Sequence, residues 1–154
     1  MALLPTSKVW FGGVQTDART AKALAYAEKQ AGLQFACSQG SWSTSVSASG
    51  STHAGAGVVD IRVGLWSNTQ RAKVVRALRD AGFAAWLRTP AQGFPYHIHA
   101  VLIDCKGLSD SARRQTVLYD EGRDGLDSMH RDSNAYRPDP KVAFAFYRNK
   151  PVPR

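Results

Sequence analysis

The chain has 154 residues, 44% of them hydrophobic and 21% charged, the composition of one globular domain large enough to bury a core. No apolar run is long enough to span a bilayer, which excludes a membrane-embedded helix. The formal net charge of +8 favours a polyanionic partner: nucleic acid, anionic lipid or a cell wall bearing acidic polymers.

The first residues, from Met1 to Lys8, lack the basic-then-apolar pattern of a secretory signal. Thr16-Asp17 offers a helix N-cap; Ala21, Leu24, Ala25 and Ala31 give a helical stripe, and Gly32 suits its C-terminal end. Residues 33–37 read as a strand. The Ser- and Gly-rich stretch from Ser38 to Gly50 reads as an ordered loop at a site. Residues 58–63 have strand propensity; Val59, Ile61 and Val63 would share one face, and Val58, Asp60 and Arg62 the other. Ser67-Asn68-Thr69 caps a second helix with a stripe of Val74, Val75, Leu78 and Ala81, ended by Gly82 and followed by a strand over residues 83–87. Residues 97–103 form another strand. Ser109 caps a third helix to about Tyr119, with Leu108, Ala112 and Tyr119 on its apolar side. Residues 122–140 are polar and irregular, 142–147 suggest a last strand, and the tail from about 138 resembles a linker. Lys and Arg are spread over helix faces and read as solvated. The two cysteines, Cys37 and Cys105, form no Cys-x-x-Cys pair, so packing is their default role and a disulfide stays open.

Three of the four histidines fall in two clusters, Ser51-Thr52-His53 followed by Asp60, and His97-Ile98-His99. On a strand His97 and His99 project together while Ile98 points away. Around His53 the small residues Ala54, Gly55, Ala56 and Gly57 leave room for an imidazole and a close backbone approach. Two imidazoles and one carboxylate, with a fourth position open to water, are the ligand set of a catalytic zinc site.

Ser51-x-His53 with Asp60, then His97-x-His99 on a later strand, resembles the zinc D-alanyl-D-alanine carboxypeptidase and L-alanyl-D-glutamate endopeptidase family. That family includes VanX-like and VanY-like enzymes, phage endolysins and the zinc fold of hedgehog domains. The run from Gly82 through Trp86 and Arg88 to His99 looks especially like actinobacterial and actinophage members. The resemblance implies Zn2+ held by His53, Asp60 and His99, with His97 flanking the metal as the catalytic group and Ser51 orienting a ligand. Ala56 and Val58 stand where the family pattern has Gly and Ala, and the carboxylate that usually precedes the late histidine is absent from residues 81–96. His97 is the substitute base; Asp104 is a second candidate, but its odd spacing from His99 faces it the wrong way. The family's early Arg, which holds the substrate carboxylate, is replaced by Ser38-Gln39-Gly40, leaving Gln39 and Arg88 as candidates to line the site.

The expected molecule is therefore a single α+β domain over residues 1–154, a small mostly antiparallel sheet packed by helices with the zinc site on one face. Its expected activity is hydrolysis of a peptidoglycan stem-peptide bond, at D-Ala or L-Ala-D-Glu, by a zinc-activated water. The expected form is a monomeric endolysin catalytic domain with no signal peptide, confined to the host cytoplasm until lysis and then acting on the bacterial cell wall. The alternative is a zinc-containing wall-binding module without catalysis. No zinc-finger, recognition-helix or aromatic-basic repeat supports specific nucleic-acid binding, and no membrane partner is expected.

Overall fold

The computed structural model describes residues 4–44 and 51–138. The order of elements is β1 (Lys8–Phe11), β2 (Val14–Asp17), α1 (Ala18–Ala31), β3 (Cys37–Gln39), β4 (Val58–Arg62), α2 (Asn68–Asp80), β5 (Phe83–Arg88), β6 (His97–Leu102) and α3 (Asp110–Asp120). Strands β1 and β2 form a hairpin, and the other four make one antiparallel sheet in the order β3-β4-β6-β5. This is the α+β architecture expected from the sequence.

Capping chemistry sets the helices. Asp17 accepts from the Thr20 amide at the start of α1, and Gly32 ends it at a φ of 67°. Ser67 and Gln70 form a reciprocal capping box on α2, and Ser109 caps α3. The stripes of α2 and α3 behave as read, with Val74, Val75, Leu78, Ala81, Leu108, Ala112 and Tyr119 buried; on α1 Leu24 and Ala31 are buried, but Ala21 and Ala25 are only half-buried and Ala23 and Ala27 take the inner face instead. On β4 and β6, Val59, Ile61, Ile98 and Ala100 turn to the face buried with α1 and α2, the main core. Helix α3 packs on the other face against β5 and β6. Among the described residues no helix is long and apolar enough to cross a membrane.

Several expectations change. The strand expected over 33–37 begins only at Cys37 and runs on through Gln39. The Phe35 amide is taken by the Glu28 carboxylate at 2.7 Å instead of a strand partner. Ser38 and Gln39 therefore belong to β3 and not to the loop, whose residues 45–50 lie outside those described. The last strand expected at 142–147 and the tail from 139 also lie outside them. The β1–β2 hairpin was not among the expected elements, although Gly12-Gly13 between two β-prone runs is its sequence signal. Arg79 is not a solvated helix cation but is 1% exposed. Cys37 and Cys105 are free and buried, and burial pushes their thiols up, to about 12 and about 11.

Candidate metal centre

Strand register assembles the site. Asp60 on β4 pairs with Gln39 on β3 and with His99 on β6, and His99 pairs with Trp86 on β5. Gln39, Asp60, His99 and Trp86 thus form one row across four strands. Arg62, His97 and Arg88 form the neighbouring row on the same face.

His53 comes from outside the sheet, on the single helical turn Thr52–Ala54. Two glycines let this turn lie close to the sheet. A Cβ on Gly55 would sit 2.4 Å from the Gly107 carbonyl, and Gly57 has a φ of 82° with Leu108 and Cys105 within 2.9 Å of such a Cβ. The Gly57 amide donates to Asp17 at 3.0 Å, so the cap of α1 also anchors the turn. The Ser41 hydroxyl donates to the Val58 carbonyl at 3.1 Å.

The polar atoms then converge. His53 Nε2 lies 3.1 Å from Asp60 Oδ1, and His99 Nδ1 lies 2.8 Å from the same oxygen. The opposite nitrogen of each ring decides the tautomer. His53 Nδ1 donates to the Gly40 carbonyl at 2.8 Å. His99 Nε2 donates to Gln115 Oε1 at 2.8 Å, because the Gln115 amide nitrogen is committed to the Gly125 carbonyl at 3.1 Å. In the neutral rings the two nitrogens facing Asp60 are therefore bare lone pairs. Burial pushes His99 down towards the neutral form, outweighing Asp60. Three acceptors meet with no donor between them, an arrangement that a cation resolves. His53, Asp60 and His99 are all buried, their donor atoms lie within 4.8 Å of one another, and they could hold a metal ion.

The other expected residues are placed as follows. His97 lies on the metal-site face; its Nδ1 donates to the Pro95 carbonyl at 2.8 Å, which leaves Nε2 as an acceptor 3.7 Å from Asp60 Oδ2. Gln39 lines the cleft and donates to the Ser43 hydroxyl at 3.2 Å. Arg88 is buried; burial lowers its pKa, to about 10, so it stays a cation at neutral pH. It donates to the Asp124 carbonyl at 2.6 Å, and its Nη2 has no hydrogen-bond partner among the described residues. Ser51 is exposed, with a φ of 67° and no capping bond from its side chain. The ring-orienting role expected of it falls to the Gly40 carbonyl. Asp104 pairs with Arg19, away from the cleft.

The cleft above the site measures about 920 Å³ and is rimmed by Trp66, Phe94, Tyr96 and Leu126. Asp60 is the one acid among its described lining residues. The sequence reading missed Gln115 and the stacking of Trp86 on His99, at 6.3 Å between ring centroids and 17° between planes. Alternation along β5 places Trp86 two residues from Arg88 and on its face. Gln115, with Thr116, is one of two polar residues on the buried side of α3. Compared with known proteins, the chain matches no family model, no curated protein and no solved structure.

Proposed function

We propose that the chain is a zinc peptidase that hydrolyses a peptide bond in the stem of bacterial peptidoglycan, at D-Ala or at L-Ala-D-Glu. The observation that carries the reading is the convergence of His53 Nε2, Asp60 Oδ1 and His99 Nδ1, all acceptors, at the floor of an open cleft. Two neutral imidazoles and a carboxylate suit zinc and leave it a net positive charge. Zinc so held polarises a carbonyl and lowers the pKa of a bound water from about 9 toward about 7.

The remaining work falls to the chain's own groups. His97 Nε2, kept bare by the Pro95 carbonyl, accepts the proton of the attacking water and returns it to the leaving amine. In its protonated form the same ring stabilises negative charge developing on the carbonyl oxygen. Arg88, a buried cation lining the cleft, supplies positive charge that favours an anionic group of the stem peptide. The cell wall as target is supported by the net charge of +8 and by the resemblance of the Ser51-x-His53, Asp60 and His97-x-His99 pattern. An endolysin role, with access to the wall only at lysis, belongs to the same proposal.

A second reading, a zinc-containing wall-binding module without catalysis, is favoured by one observation: no second carboxylate lines the cleft among the described residues. Mass spectrometry of purified actinobacterial wall, incubated with the zinc-loaded protein with and without a chelator, separates the two. New peptide termini that vanish with chelator support the peptidase, and their masses name the bond. Intact wall beside a protein carrying one zinc per chain sinks it in favour of the binding module.

A further inference from the structure

Three consecutive backbone carbonyls grip the side chains that surround His97 and His99. Arg123 accepts from Trp86 Nε1 at 3.0 Å, Asp124 from Arg88 Nη1 at 2.6 Å, and Gly125 from Gln115 Nε2 at 3.1 Å. The strap is itself tied down: the Arg123 amide donates to the Leu118 carbonyl at 2.9 Å, and the Asp124 amide to the His130 carbonyl at 3.1 Å.

The third grip decides a proton's position. A carbonyl can only accept, so the Gly125 oxygen turns the Gln115 amide with its nitrogen outward and its oxygen towards His99. That oxygen can only accept in turn, so it favours the proton on His99 Nε2. Asp60 pulls the other way. Its carboxylate, 2.8 Å from Nδ1, would equally accept a proton there. A proton on Nδ1 would remove the lone pair that faces the centre.

We propose that Gln115, oriented by the Gly125 carbonyl, is a positioning residue that keeps the His99 proton on Nε2 and presents Nδ1 to a metal ion. The inference rests on the metal-centre reading above. It makes residues 123–125 part of the site's support, although no side chain of that strap is asked to bind the metal.

The test uses the full chain with labelled histidine nitrogens, loaded with magnetically active cadmium in place of zinc, and compares wild type with Gln115→Met and Gln115→Glu. Methionine keeps the volume and removes both hydrogen bonds; glutamate keeps an acceptor for Nε2–H. Wild type is expected to show cadmium coupling to His99 Nδ1 and a slowly exchanging proton on Nε2. Gln115→Met is expected to lose about 10–100-fold in zinc affinity and the protection of that proton, with Gln115→Glu restoring most of both. Coupling to His99 Nε2 in wild type overturns the proposal, and so does a Gln115→Met protein with unchanged affinity and a protected proton. If Gln115→Met does not fold, the wild-type coupling decides between Nδ1 and Nε2. A wild-type chain that takes up neither cadmium nor zinc defeats the metal-centre reading itself, and this inference with it. An unchanged Gln115→Met defeats the inference alone.

Discussion

His97 and His99 stand two residues apart on one strand and one face, yet their surroundings give them different work. His99 is 5% exposed and stacked on Trp86, with Nε2 donating to Gln115 and Nδ1 facing Asp60 at 2.8 Å. His97 is half-buried, with Nε2 towards the cleft, Nδ1 held by the Pro95 carbonyl and its ring edge-on to Phe94. Replacing His97 by alanine is therefore expected to leave zinc content at one per chain while lowering kcat/KM on a stem peptide by about 10²–10⁴. Metal analysis and hydrolysis assays on the same sample check it; loss of zinc in the variant would make His97 a ligand. At this scale the alternation of side chains along β4 and β6 was readable, and it brought Asp60, His97 and His99 to one face. The partners that fix the tautomers were not. The Gly40 carbonyl lies 13 residues from His53, and Gln115 lies 16 from His99, and no local pattern encodes such pairings.

The caps made α1, α2 and α3 legible, because Asp17, Ser67 and Ser109 act on amides within three residues. Strand β3 was displaced because its limits depend on Glu28 and β4 rather than on its own composition. The segment after α3 reads as irregular and is irregular, but it is not loose. Arg79 Nε and Nη2 donate to the Ala85 carbonyl, Nη1 to the carbonyls of Asn134 and Tyr136, and Nη2 also to Asp132 at 2.6 Å. Arg137 joins Asp132 at 3.0 Å and lies over the Tyr119 ring. One buried guanidinium thus ties α2 and β5 to the segment that supports the metal site. Arg79→Met removes the donors and leaves those acceptors buried. It is expected to cost about 3 kcal/mol, measured by urea unfolding, and to loosen zinc binding while touching no ligand. A variant as stable as wild type would show that the segment is held by other contacts.

The net charge of +8 belongs to the whole chain, and the cleft itself combines Arg62 and Arg88 with Asp60, the one acid among its described lining residues. Charge-driven attraction to an anionic wall is screened by salt. Raising ionic strength from about 0.1 M to about 1 M shortens the Debye length from about 10 Å to about 3 Å. Wall binding, followed by sedimentation, is expected to fall severalfold over that range, and binding that ignores salt would remove charge as the contact. The overall architecture was legible because composition and cap-to-stripe grammar act locally; the order β3-β4-β6-β5 was not, since it depends on pairings far apart in sequence.

The three lone pairs that meet at Asp60 carry a consequence for folding itself. A metal ion held there would make the native state a ligand-dependent state, less stable when the ion is scarce. Heat resistance then becomes a reading of the medium: above the Kd, each tenfold rise in free ion adds about 1.4 kcal/mol to the folded side. In such a chain a bound ion would decide how long the protein lasts as well as whether it can act.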